Sequence, residues 1–274
     1  KQSVGDMEDG SVAHITGVVA CCRRAIEKAC SLAGHTPLEA VVGVAGANVR
    51  GSIHKTLIRR RFPRRPITAA EFRKVLSRAN KEAAQRASET MAEQTGLPAV
   101  AVRLLHATLL EVKIDGQRVR SPLQFCGTYV ELSMLHAFSP IMQFGALERI
   151  ASELGIVIVQ AVAEPFAVAA GVLGTTAHFP DAVIIDVGGG STDVAVIRQG
   201  HVSDTRSLPV GGRSFTRSLA RYFGLDMDEA ESMKLDYGAG LLDESLVRAV
   251  DDIFAEDIKI FVDALSIGLG DLAQ

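Results

Sequence analysis

The chain has 274 residues, 47% hydrophobic and 22% charged, a balance that permits a large core and is ordinary for an α/β protein. A net charge of −3, no Trp and 5% aromatics argue against nucleic acid, whose recognition needs basic patches and stacking platforms. Cys21, Cys22, Cys30 and Cys126 form no Cys-x-x-Cys pair and no zinc spacing, so buried thiols in a reducing cytoplasm are expected.

In chain order, Lys1 to Gly10 is polar and reads as a loop. Helix-period apolar residues run from Ser11 to Ala33, and Gly34-His35-Thr36-Pro37 ends that helix. Leu38 to Ala45 is a short strand closed by Gly46-Ala47-Asn48. The composition then turns basic: the stretch Arg59 to Arg65 reads as a solvated face or, more sharply, as a contact for an acidic protein surface. Thr68 is placed to cap a helix reaching Ala92. Extended segments Val102 to Ile114 and Arg118 to Phe125 flank an Asp115-Gly116 turn, and Thr128 to His136 is another strand. One helix with several antiparallel strands makes Arg50 to Ser133 an inserted α+β block.

Phe138 to Leu154 has helical periodicity, with Ile141, Phe144, Leu147 and Ile150 on one face. Ile156 to Val162 reads as a buried strand, and Glu164 to Leu173 as a helix with Pro165 in its first turn, the position proline favours. The apolar run from Gly155 to Gly174 is therefore strand plus helix rather than a membrane span, and the first residues do not read as a signal peptide. Helices are also expected from Ser214 or Thr216 to Phe223, from Asp228 to Tyr237 behind an Asp226 cap, and from Leu246 to about Leu265.

The densest chemistry lies at Asp186-Val-Gly-Gly-Gly-Ser-Thr-Asp193, between two apolar runs. Arg198-Gln-Gly-His201 reads as a tight turn after it, so the glycines join strand to strand rather than strand to helix. Backbone N–H groups and hydroxyls of such a bend suit an anion, and Asp186 suits a hydrated Mg²⁺, which keeps most of its waters. Glu164, where a strand meets a helix, reads on its own as a dipole-stabilising acid, while the hairpin about twenty residues downstream favours orientation of an attacking water. Pro209-Val-Gly-Gly212 precedes a helix whose first N–H groups would attract an anion, or is a plain turn. Glu231 and Lys234, three apart on one helix face, suit a nucleoside, or form a simple ion pair. His14, His106, His136 and His178 form no cluster.

These constellations, in this order, resemble the bacterial actin-like ATPases, most closely the FtsA cell-division family and the PilM pilus-assembly family. Ala163-Glu-Pro-Phe-Ala-Val-Ala-Ala170, Pro209-Val-Gly-Gly-Arg-Ser-Phe-Thr216 and Ala230-Glu-Ser-Met-Lys-Leu-Asp-Tyr-Gly238 match the segments around the family's phosphate motif. Val42-Gly-Val-Ala-Gly46 leads into the insert as it does there. Leu105-His-Ala, Val112-Lys-Ile-Asp-Gly116 and Ser121-Pro-Leu-Gln-Phe-Cys-Gly127 resemble the FtsA-type SHS2 subdomain.

The resemblance implies an actin-like, ribonuclease H-like α/β core with an inserted α+β subdomain. It divides the chain into residues 1–50 and 134–180 of a first subdomain, the insert 51–133, and a second subdomain 181–274. The family's earlier phosphate hairpin and later adenosine motif are not matched, so truncation at both ends is expected. The implied cofactors are ATP or ADP with Mg. Asp186 would serve the metal through water. Gly188, Gly189, Gly190, Ser191 and Thr192 would hold phosphates, Gly211 and Gly212 would back the nucleotide, and Glu231 and Lys234 would meet the nucleoside. Glu164 and Asp186 would carry any slow hydrolysis. The implied partners are further copies of the chain, as dimers or filaments, and a tubulin-like division protein or a pilus inner-membrane protein. The implied location is cytoplasmic, at the inner face of the membrane, held there indirectly or by a segment not present in this sequence. A small-molecule kinase on the same core is the remaining alternative.

Overall fold

The computed structural model describes residues 5–8, 10–46, 49–173, 181–198 and 201–272. Parts of the expected loops at Lys1 to Gly10 and Gly46 to Asn48, the centre of the Arg198–His201 turn, and His178 lie outside the described residues.

The chain opens with β1 (Met7–Glu8) and β2 (Ser11–Val12), a small antiparallel ladder, then α1 (Ile15–Ala33). The helix begins later than its periodicity suggests because residues 11–12 are spent on the ladder, and Asp6 O accepts the N–H groups of Ala13 and His14. Next come β3 (Glu39–Val44) and β4 (Arg50–Arg59), the latter not foreseen within the basic stretch. In β4 the alternation is real but carried by Thr56, Ile58 and the backbone position of Arg60 facing inward, while Lys55 and Arg59 face out.

Arg60 itself corrects the expectation of a solvated basic face. Its side chain is 1% exposed and pairs with Glu71 through both Nε (2.8 Å) and Nη2 (2.9 Å), and it donates to the carbonyls of Gly127 and Arg65. A planar guanidinium with several donors can satisfy a buried fork of carboxylate and carbonyls in this way.

Glu71 lies in the first turn of α2 (Ala69–Thr95), where Thr68 caps the helix by accepting the Glu71 N–H. Then follow β5 (Val102–Ile114), β6 (Gln117–Val119) and β7 (Tyr129–Pro140). Asp115 and Gly116 turn with φ of 47° and 85°, both left-handed, which suits a tight hairpin. The segment to Phe125 leaves the sheet early because Pro122 has no N–H to pair and Gln124 takes φ 70°.

Phe138 belongs to β7, not to a helix; Pro140 ends the strand and α3 (Ile141–Leu154) starts after it, leaving Ile141 52% exposed. In β8 (Val157–Ala163), Val157 and Val159 are exposed, so the strand is not buried on both faces. The remaining elements are α4 (Glu164–Leu173), β9 (Ala182–Val187), β10 (Thr192–Arg198), β11 (His201–Leu208), α5 (Gly212–Phe223), α6 (Met227–Gly238) and α7 (Glu244–Leu272). The thiols of Cys21, Cys22 and Cys30 are half-buried and Cys126 is exposed, against the expectation of buried ones.

A seven-stranded sheet runs in the order β6-β5-β7-β4-β11-β10-β9. Its two halves meet at β4 and β11 through only two residue pairs, Ser52↔Asp204 and Gly51↔Thr205. A separate parallel pair, β3 and β8, is linked by the long crossover that contains the insert. One core lies between α2 and the β4–β7 half, around Ile67, Leu132 and Val130. A second fills the space around Val44, Ala137, Ala161 and Ala163, with Phe166 packed against it. A third joins Leu219, Ala230, Val250 and Phe254 of α5, α6 and α7.

Candidate functional site

The glycine bend joins antiparallel strands. β9 and β10 pair in register, with Val187 opposite Thr192 and Asp186 opposite Asp193. The Gly188 N–H donates to Ser191 O at 2.9 Å, closing the bend. Gly188 and Gly189 are exposed, and the N–H groups of Gly189, Gly190 and Ser191 donate to no acceptor among the described residues. Three successive amides without protein partners form a concave donor surface suited to an anion.

The back of the bend is fixed by α5. Gly212 N–H donates to Gly188 O (2.9 Å) and Arg213 N–H to Gly189 O (2.7 Å). The approach is so close that a Cβ on Gly211 would sit 2.5 Å from Gly188 O. This corrects the expectation that the first amides of α5 stay free for an anion: those of Gly212 and Arg213 are spent holding the hairpin, and Gly211 is glycine because of that close contact. Thr192 is also corrected. It is fully buried and its hydroxyl donates to Val210 O at 2.7 Å, so it anchors the hairpin instead of facing a phosphate.

Three carboxylates converge beside the bend. Asp186 and Asp193 are cross-strand partners on one face, an arrangement that repels. Glu164, the first residue of α4, lies near both: burial and then the charges of Asp193 and Asp186 raise its pKa. Burial and Asp186 raise Asp193 as well, against an opposing contribution from Ser207. Asp193 Oδ1 is buried with no hydrogen-bond partner. Clustered acids and an orphaned carboxylate oxygen fit a nearby cation. No group of three His, Cys, Asp or Glu side chains among the described residues is arranged to ligate a metal directly.

Glu231 and Lys234 reach the same place from α6. Lys234 Nζ donates to Glu231 Oε2 (2.8 Å), Thr216 Oγ1 (2.9 Å) and Gly212 O (3.2 Å). The Thr216 hydroxyl also donates to Glu231 Oε2 at 2.6 Å. Burial opposes ionisation of Glu231, but Lys234 and Thr216 outweigh it and hold its pKa below the usual carboxylate range. The pair is therefore bonded to α5 and tied to the hairpin through it.

Two residues at the site escaped the sequence reading. Asp193 was visible as the second acid of the motif, but its burial was not. Arg213 follows the glycine pair; its Nε would lie 3.6 Å from a Cβ on Gly189, and its Nη1 donates to Met7 O at 3.4 Å.

A strand-to-strand glycine bend with an acid ending its first strand, a strand–Glu–helix junction beside it and a helical pair behind it define the actin-like class of α/β folds. A sequence model of the family described as Cell division protein FtsA matches residues 183–258. The Cell division protein FtsA of Pseudomonas aeruginosa is 27% identical over 236 residues, covering 86% of this chain and 53% of that protein. That of Bacillus subtilis is 26% identical over 251 residues, covering 90% and 53%. The PilM-PilN type IV pilus biogenesis complex contains a chain of the same fold, with TM-score 0.58 and 20% identity over 97% of this chain and 68% of that one. The chain is thus similar to the bacterial actin-like proteins represented by FtsA and shares their fold. It spans about half the length of the curated relatives it matches. Among the described residues no helix is long and apolar enough to cross a membrane.

Proposed function

We propose that the protein is an FtsA-like scaffold that holds Mg-ATP or Mg-ADP at the glycine hairpin and assembles with further copies of itself under nucleotide control. The observation that carries this reading is the triplet of unpartnered amides at Gly189, Gly190 and Ser191 beside the carboxylates of Asp186, Asp193 and Glu164. Bound Mg²⁺ would supply positive charge to the phosphate oxygens. Within this reading the hairpin amides bind phosphate and Asp186 takes the metal's waters. Glu164 orients a water by hydrogen bonding, which supports at most slow hydrolysis. Glu231 and Lys234 border the nucleoside. The subdomain division 1–50, 51–133, 134–180 and 181–274 is part of the same proposal. So is a position at the inner face of the membrane, beside a tubulin-like division protein.

Calorimetric titration with Mg-ATP tests it: saturable binding is expected, lost in Asp186→Ala, and no binding by the intact protein would overturn it. A second reading, a PilM-like pilus adaptor, draws on the shared fold over 97% of this chain. Co-sedimentation with a tubulin-like division protein supports the first reading, and capture by a pilus inner-membrane peptide supports the second.

A further inference from the structure

The narrow seam between the sheet's halves is flanked on one face by a cavity of about 240 Å³, roofed by α2 and lined by β4 and β11. Register explains which side chains enter it. Ser52 and Asp204 are cross-strand partners, and strand alternation puts His54 and Arg206 on the same face. The opposite face, where Gly51 and Thr205 pair, is filled by Phe166: a Cβ on Gly51 would sit 2.5 Å from its ring. The cavity is thus separated by the sheet from α4 and is distinct from the hairpin site.

Its floor is apolar, made by Met91 and Phe138. Its rim carries Arg86, Arg206 and Asp204, whose Oδ1 accepts the Thr205 N–H at 2.8 Å. Arg86 makes no hydrogen bond or ion pair among the described residues. Burial and the charge of Arg86 lower the pKa of His54, and its Nε2 lies 3.0 Å from the Ser52 hydroxyl. The Arg86 guanidinium therefore stands at the rim over an apolar floor. An apolar cavity of about 150 Å³ is enough to admit benzene, so this one has room for a ring or short branched chain with a charged head.

We propose that this cavity binds a small organic monoanion, a carboxylate on a compact apolar body, with the carboxylate on Arg86 and the body on Met91 and Phe138. A ligand there spans α2 and both seam strands, and so braces the insert against the hairpin half of the sheet.

The test is a titration of the protein with benzoate, followed through the ring resonances of His54, with saturating Mg-ATP present to occupy any hairpin anion site. Saturable shifts at His54 are expected, with benzyl alcohol and inorganic phosphate each much weaker because one lacks the charge and the other the apolar body. Arg86→Ala, on an exposed helix position, is expected to weaken benzoate by about tenfold, as loss of a charge-assisted bond should. Thr90→Phe, which fills the cavity from an equally exposed position, is expected to abolish it. Absence of a saturable shift with benzoate, equal affinity in Arg86→Ala, or equal binding of phosphate alone would each overturn the proposal. Mg-ATP binding is read separately in the same samples, so failure of the hairpin site is distinguished from failure of this one.

Discussion

Replacing Gly211 by Ala tests how the hairpin is held. The backbone there is extended (φ −164°), so alanine is conformationally acceptable and the effect is steric alone. Its Cβ would lie 2.5 Å from Gly188 O and 3.0 Å from Gly189 C and O, all backbone atoms that cannot swing aside. Either the strain is retained, at about 1–3 kcal/mol, or the bend withdraws and gives up two backbone hydrogen bonds at about 1 kcal/mol each. A loss of about 2–3 kcal/mol in urea unfolding is expected, together with about tenfold or weaker Mg-ATP binding as the amides are displaced. Gly212→Ala is the matched control. Its Cβ would meet the tip of Lys234 at 3.5 Å and Gly188 O at 3.8 Å, both ordinary contacts, and at the first position of α5 alanine keeps part of its roughly 1 kcal/mol helix-interior advantage over glycine. Neutral or slightly improved stability is expected. If the two variants unfold and bind alike, the close approach of α5 to the hairpin does not exist as described.

Arg60→Ala leaves Glu71 and two carbonyls without their partner and is expected to cost about 3–5 kcal/mol in chemical denaturation, typical of a broken buried pair. The Arg60 hydrogen bond holds the Glu71 pKa below its ordinary value, so that contribution is present above the ordinary value and lost as pH falls through the depressed one. Glu164 behaves oppositely: its raised pKa makes the folded state take up a proton first, so stability falls as pH rises from the usual carboxylate value through the raised one. Glu164→Gln should flatten that slope in unfolding curves recorded without divalent metal; an unchanged slope would remove the acidic cluster from the account. His136 is fully buried and its pKa is lowered to about 4. The unfolded chain therefore binds the proton first, and stability should fall between about pH 6.5 and 4 by about 3 kcal/mol. His136→Phe should remove most of that decline.

The elements most legible in the sequence were those with local signals. Thr68 caps a helix start, Asp226 caps another, and Asp115-Gly116 turns between two strands; each appears in the structure as read, and Asp226 also forms a capping box with Glu229. The hairpin was legible because few arrangements place Asp186 and Asp193 around three glycines and a hydroxyl pair between apolar strands. What stayed hidden was long-range. Arg60 looks like its neighbours until a fold brings Glu71 and the Gly127 carbonyl around it. β4 was concealed because its outward positions Lys55 and Arg59 belong to a stretch whose basic charge dominated the reading. The use of α5's first amides by the Gly188 and Gly189 carbonyls depends on two segments more than twenty residues apart meeting at backbone contact, and no local pattern announces that.

The most direct measurement is a ¹H–¹⁵N spectrum of the protein titrated with Mg-ATP. Saturable movement of the Gly189, Gly190 and Ser191 amides is expected, with Gly212 and Arg213 nearly still because their N–H groups already bond to the hairpin. Binding that leaves those three amides unmoved would place the phosphates elsewhere and contradict the account.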